Sequence, residues 1–164
     1  MSESLPPTAP EATSGVRVFP PLLPLLGLAV GFLLEWWRAV PIAPEAARAA
    51  TRWTGGALVA ICFGLAGWAV ATFRRLGTTP NPTRPTTALA ERGPYRFTRN
   101  PMYLALLLGQ TGVALLANAL WPLATMPLVA WALDRLVIAR EERYLEARYG
   151  DAYRALKARV PRWL

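Results

Sequence analysis

Three stretches of the chain, residues 18–34, 53–73 and 101–133, hold no Asp, Glu, Lys or Arg, and polar, charged or proline-rich segments separate them. A helix needs about 20 mostly apolar residues to cross the ~30 Å hydrocarbon core of a bilayer, so this pattern predicts membrane-spanning helices. The first stretch opens on Pro20, Pro21 and Pro24, tolerated in a first helical turn, and closes on the aromatic and charged belt Glu35, Trp36, Trp37 and Arg38. The second carries Gly56, Ala60 and Gly64 on one helix face, where small side chains let another helix approach closely, with Gly67 beyond and Arg74 and Arg75 at its end. A short outer loop ending near Arg52 joins the two. The third stretch is too long for one span and too short for two with a generous turn. Asn118 to Pro122 supply a break, and the second arm borrows residues beyond Asp134. A tight hairpin results, returning residues 99–103 and 134–142 to the same membrane face.

The expected fold is therefore all-α, an integral membrane bundle of four transmembrane helices. Residues 1–16 mix Ser, Pro, Thr, Glu and Ala without periodicity and read as a disordered tail ahead of a single domain over 17–164. With Glu3, Glu11 and only Arg17 before it, the first apolar stretch does not read as a secretory signal. Residues 76–98 form a long loop with four prolines, a length that points to function or disorder. After the membrane, Leu145, Tyr149, Tyr153, Leu156 and Val160 recur at helical spacing, interrupted at Gly150-Asp151 and stopped by Pro161. This amphipathic C-terminal helix is expected to cover the cytoplasmic mouth of the bundle.

Composition agrees: 54% of the 164 residues are hydrophobic, too many for an ordinary soluble domain of this size. The net charge of +8 raises the question of nucleic acid, but its placement answers otherwise. Four spans with both termini inside put fifteen of the eighteen Lys and Arg on the cytoplasmic side, as basic loops require. Cys62 is the only cysteine and there is no histidine, which removes a disulfide framework, thiolate clusters and imidazole-based proton transfer and leaves no expected metal site.

The polar residues beside the apolar stretches are what remains for chemistry. Pro94 and Pro101 frame residues 93–103, and a helix is predicted to begin at Pro101 with Asn100 as its cap. Candidate site groups are Tyr95, Arg99, Asn100, Tyr103, Asp134, Arg135, Arg140, Glu141 and Glu142. Ionisable residues next to membrane helices usually face the bundle or a wet cavity. Asp134 and Glu141, seven apart, would share one face of a regular α-helix. The bland alternative for Glu141 and Glu142 is a solvated helix end paired with arginines.

Two linked motifs change the weighing. Arg99-Asn100-Pro101-Met102-Tyr103, followed about forty residues later by Glu141-Glu142, Leu145, Tyr149-Gly150, Tyr153 and Val160-Pro161-Arg162, resembles the C-terminal signature of isoprenylcysteine carboxyl methyltransferases and the related phospholipid methyltransferases, over roughly residues 85–164. The resemblance implies a membrane enzyme that binds S-adenosylmethionine at its cytoplasmic face and methylates an amphiphilic acceptor. It implies cofactor contacts at Thr87, Ala88, Leu89 and Ala90, at Tyr95, and at Arg99, Asn100, Pro101, Met102 and Tyr103, with Glu141 and Glu142 as the acidic pair and Asn100 and Glu141 at the reacting centre. The family commonly has His where this chain has Asn100, so imidazole chemistry is excluded there, although an amide still donates and accepts hydrogen bonds. A family arginine assigned to substrate falls at Val137, so neither Arg135 nor Arg140 is its equivalent. The expected partners are the lipid bilayer and a lipophilic methyl acceptor; the sequence leaves open whether the substrate is a prenylated cysteine, a phospholipid amine, another isoprenoid acid or a small thiol. Two rivals stand beside this reading, a sterol-type membrane reductase using NADPH and a non-catalytic membrane scaffold. The sequence sets no oligomeric state.

Overall fold

Prolines set where the first helix starts. Pro20 and Pro21 precede α1 (Leu22–Trp37), whose first turn also accepts Pro24 because the N–H groups there have no intrahelical acceptor. The computed structural model describes residues 15, 16, 18–77 and 88–164, and within them there is no β-strand. A 3₁₀ turn (Glu45–Ala47) feeds α2 (Arg48–Arg75), so the loop after α1 ends before Arg52: the alanines at 46, 47, 49 and 50 are strong helix formers and extend the helix into the polar segment. α3 (Pro101–Ala117) begins at Pro101 as expected and stops at Asn118, which takes a left-handed φ of 53°. The chain re-enters helix as α4 (Leu120–Ala124) and α5 (Met126–Ala132), passes through a π-helical segment (Leu133–Ile138), and continues as α6 (Ala139–Tyr149). Gly150, at φ 51°, turns the chain into α7 (Asp151–Arg159).

α3 is the hub. α2 lies along it, and α1 crosses α3, α4 and α5. The α2–α3 approach is governed by Gly55 and Gly112, since a Cβ on either would stand 2.7 or 2.8 Å from the other's carbonyl oxygen. The face expected to serve this purpose is a different one: Gly56 and Gly64 have nothing within 4 Å of an added Cβ. The close-packed seam is offset by one residue from the stripe that spacing suggested. At the hairpin tip, Asn118 locks the loop after α1, accepting from Ala43 N–H and donating to Ala43 O at 2.9 Å each, while Trp121 Nε1 donates to Arg38 O at 2.7 Å.

Two continuous helices, Glu45–Arg75 and Leu120–Tyr149, are long and apolar enough to cross a membrane, and Leu22–Trp37 and Pro101–Ala117 are shorter apolar helices. Large apolar side chains point outward, among them Leu25, Leu33, Phe63 and Leu128, with Trp36, Trp37 and Trp53 exposed near helix ends. An outward apolar surface of this extent suits lipid and not water.

Residues 1–14 of the expected tail lie outside the described residues; Val16 is buried against Tyr103, Leu133 and Ile138, and Gly15 O accepts a hydrogen bond from Arg140. One further expectation is corrected. The shared face of Asp134 and Glu141 is lost because the π-helical segment between them winds more residues per turn than an α-helix. Asp134 and Glu142 converge instead, both on the guanidinium of Arg162.

Candidate functional site

The turn Gly93–Arg96 docks on the charged end of α2. Gly93 has φ 61° and lies so close that a Cβ would sit 2.5 Å from Thr72 Oγ1. Tyr95 meets Phe73 edge-on at 5.2 Å between ring centroids, and Ala69, Ala90 and Tyr95 form a buried cluster flanked by Phe73, Leu76 and Met102. Burial pushes the Tyr95 phenol upward, and the Glu141 carboxylate adds to the shift. From the next turn, Tyr103 donates its hydroxyl to Glu141 Oε1 at 2.7 Å.

Beside this pair lies a dense charged knot. Glu142, 7% exposed, takes Arg99 Nη1 at 3.1 Å, Arg162 Nε at 3.1 Å and Arg162 Nη2 at 2.5 Å. Arg162 also reaches Asp134 Oδ1 at 2.9 Å. Arg99 donates to the Tyr153 hydroxyl at 3.4 Å and lies 6.0 Å from its ring centre. Burial, with the Glu142 carboxylate second, pushes that phenol up to about 12 although Arg99 pulls the other way. Asn100 does not cap α3 with its side chain: the amide donates to Arg162 O at 2.9 Å, next to the Thr98 hydroxyl, which donates to the same oxygen.

The expected site residues thus divide. Ala90, Tyr95 and Met102 share one cluster, Tyr103 and Glu141 share a hydrogen bond, and Arg99, Asn100 and Glu142 belong to the charged knot. Pro101 is buried as the first residue of α3. Leu89 turns away to pack on Tyr153, Leu156 and Val160, with Ala88 half-buried before it, and Thr87 lies outside the described residues. Val137 is fully buried in the apolar core and offers nothing to a substrate anion. Arg135 is mostly exposed, 3.9 Å from Asp134. Sequence reasoning missed Arg162 and Tyr153 as partners of Arg99 and Glu142. Their motif positions were the available signal, but the spacing read as an amphipathic cover.

The charge arrangement limits the chemistry. Three carboxylates, Asp134, Glu141 and Glu142, stand near two guanidinium groups, Arg99 and Arg162, and both guanidinium groups are committed to Glu142 and Asp134. Among the described residues no cation lies within ion-pairing distance of Glu141. Glu141 is thus half-buried and held by a single phenol. No cluster of metal-ligating side chains occurs among the described residues.

The fold is that of a helical membrane protein with acidic and aromatic side chains gathered at one end of its bundle. The chain matches the family of phospholipid methyltransferases over residues 50–152, which spans both the α2–α3 seam and the Tyr103–Glu141 pair. An uncharacterized protein of Haemophilus influenzae is 46% identical over 68 residues, covering 38% of this chain and the whole of that protein. No solved structure matches. This protein belongs to the phospholipid methyltransferase family, and that membership implies a membrane methyltransferase.

Proposed function

We propose that the protein is an S-adenosylmethionine-dependent methyltransferase, held in the membrane by four helices with both termini and the site on the cytoplasmic side, and acting on a lipophilic acceptor in the manner of isoprenylcysteine carboxyl methyltransferases. The observation that carries this reading is Glu141, a carboxylate fixed by the Tyr103 phenol and lacking a counter-cation among the described residues. S-adenosylmethionine supplies two cations, its sulfonium and its ammonium, and an electrophilic methyl group. Glu141 and the Tyr103 phenol suit those cations, and the apolar cluster of Ala90, Tyr95 and Met102 supplies apolar surface for an adenine ring.

Methyl transfer is an in-line displacement: the acceptor's electron pair forms the new bond to carbon while the carbon–sulfur bond breaks and its pair returns to sulfur. The chain's part is to align the two reactants and exclude water. Glu141 would stand against the positive charge of the bound cofactor. Asn100 and Arg99 brace the start of α3, which carries Tyr103. A carboxylate acceptor needs no base, whereas a protonated amine would first have to lose a proton.

NADPH fits this charge pattern less well, because its phosphates call for unpaired cations and both central arginines are already neutralised. The distinguishing experiment is equilibrium binding of radiolabelled S-adenosylmethionine and of NADPH to the purified protein. Saturable binding of the first alone is expected. Binding of NADPH alone would favour the reductase, and binding of neither the scaffold.

A further inference from the structure

We propose that Arg162 is a positioning residue, which pins the π-helical segment and thereby fixes the rotation of α6 that presents Glu141 to Tyr103. The inference rests on the cofactor reading above for its functional consequence, but its geometry stands apart from it. Asp134 lies inside the π-helical segment and Glu142 lies beyond it, and Arg162 binds both with one planar guanidinium: Nη1 to Asp134 Oδ1 at 2.9 Å, Nε to Glu142 Oε1 at 3.1 Å and Nη2 to Glu142 Oε2 at 2.5 Å. In a regular α-helix these two carboxylates, eight residues apart, would stand about 80° apart, and the extra π winding draws them into line. In an α-helix each residue turns about 100°, so losing one residue of register would swing everything after the segment by about that angle. Glu142 would leave its buried position and Glu141 would leave Tyr103.

The anchor for this clamp is the other half of the site. Arg162 O accepts from the Thr98 hydroxyl and the Asn100 amide at 2.9 Å each, and Pro161 O accepts from Arg99 N–H at 3.0 Å. Trp163 packs against the apolar core that includes Tyr103, Val137 and Ile138. Both sides of the Tyr103–Glu141 bond are therefore referred to one C-terminal residue, although Arg162 itself bonds neither Tyr103 nor Glu141. A lysine could keep a charge there but could not fork across the two carboxylates.

The test measures S-adenosylmethionine affinity in wild type, Arg162→Ala, Arg162→Lys, Glu141→Gln and the Arg162→Ala/Glu141→Gln double variant. Arg154→Ala, which breaks an exposed pair with Asp151, serves as the control. Arg162→Ala should weaken binding about tenfold or more, and the double variant should bind no more weakly than Glu141→Gln, because a residue acting through Glu141 has nothing left to act on. Arg162→Lys should fall between, and Arg154→Ala should match wild type. Losses that multiply, or wild-type affinity in folded Arg162→Ala, overturn the proposal. The second readout is the fluorine resonance of 3-fluorotyrosine placed at position 103. It should move in Arg162→Ala in the direction that Glu141→Gln moves it, and part of the way in Arg162→Lys. If Arg162→Ala does not fold, Arg162→Lys decides, and an unmoved resonance there refutes the clamp. If wild type binds no S-adenosylmethionine, the functional reading fails and the fluorine signal alone judges the positioning role.

Discussion

Replacing Glu141 by Gln keeps the size of the side chain and leaves an oxygen to accept the Tyr103 hydroxyl, so the change removes charge with little change of shape. Two losses follow. A hydrogen bond to a charged group is worth about 1.5–3 kcal/mol against about 0.5–1.5 for a neutral one, a difference of about 1 kcal/mol. A cation about 5 Å from the carboxylate at an effective dielectric of about 20 adds about 3 kcal/mol of attraction, of which desolvation of both groups removes a large part. A net loss of about 2 kcal/mol corresponds to roughly thirtyfold weaker binding. Isothermal titration of wild type and Glu141→Gln with S-adenosylmethionine and with S-adenosylhomocysteine reads it directly. The product lacks the sulfonium charge, so its affinity should fall less if the carboxylate faces sulfur, and equally if it faces the ammonium group. Unchanged affinity for both ligands in folded Glu141→Gln protein would refute the assignment.

Gly55→Ala should destabilise the detergent-solubilised protein by about 1–3 kcal/mol, because its methyl would meet Gly112 O at 2.7 Å, whereas Gly56→Ala should leave the melting temperature unchanged or raise it. Asn118→Ala should cost about 2 kcal/mol through two lost hydrogen bonds to Ala43 and a left-handed backbone that alanine tolerates poorly, read in the same melting assay. In a Cys62→Ala background, Glu45→Cys should react with a membrane-impermeant thiol reagent from the outer face and Pro85→Cys should not; the opposite labelling would invert the proposed orientation. Acceptors sharing one head group should react faster as their chains lengthen at fixed lipid content, since each added CH₂ gains roughly 0.8 kcal/mol of partitioning out of water. Equal rates for a short soluble acceptor would refute entry from the bilayer.

What the sequence made legible was whatever depends on local composition. The start of α3 at Pro101, the break at Asn118 and the interruption at Gly150 follow from proline, left-handed and glycine geometry, which act within one or two residues. The pairing of Tyr103 with Glu141 was within reach because a hairpin of that length returns both ends to one level. Spacing failed where helix winding or rotation mattered. The π-helical segment replaced an Asp134–Glu141 face with an Asp134–Glu142 face, and the α2–α3 seam chose Gly55 over Gly56, a one-residue offset that apolar periodicity does not encode among so many small and apolar neighbours. Asn100 read as a cap because capping is local, whereas its partner, Arg162 O, is sixty-two residues away.

The most direct test of a cofactor site at Tyr95, Tyr103 and Glu141 is ultraviolet cross-linking of methyl-labelled S-adenosylmethionine to the purified protein, followed by peptide mapping. Label is expected in the peptides that carry residues 95–103 and 141, displaced by excess S-adenosylhomocysteine and strongly reduced in Glu141→Gln. Label confined to other segments, or incorporation that S-adenosylhomocysteine does not displace, would contradict it.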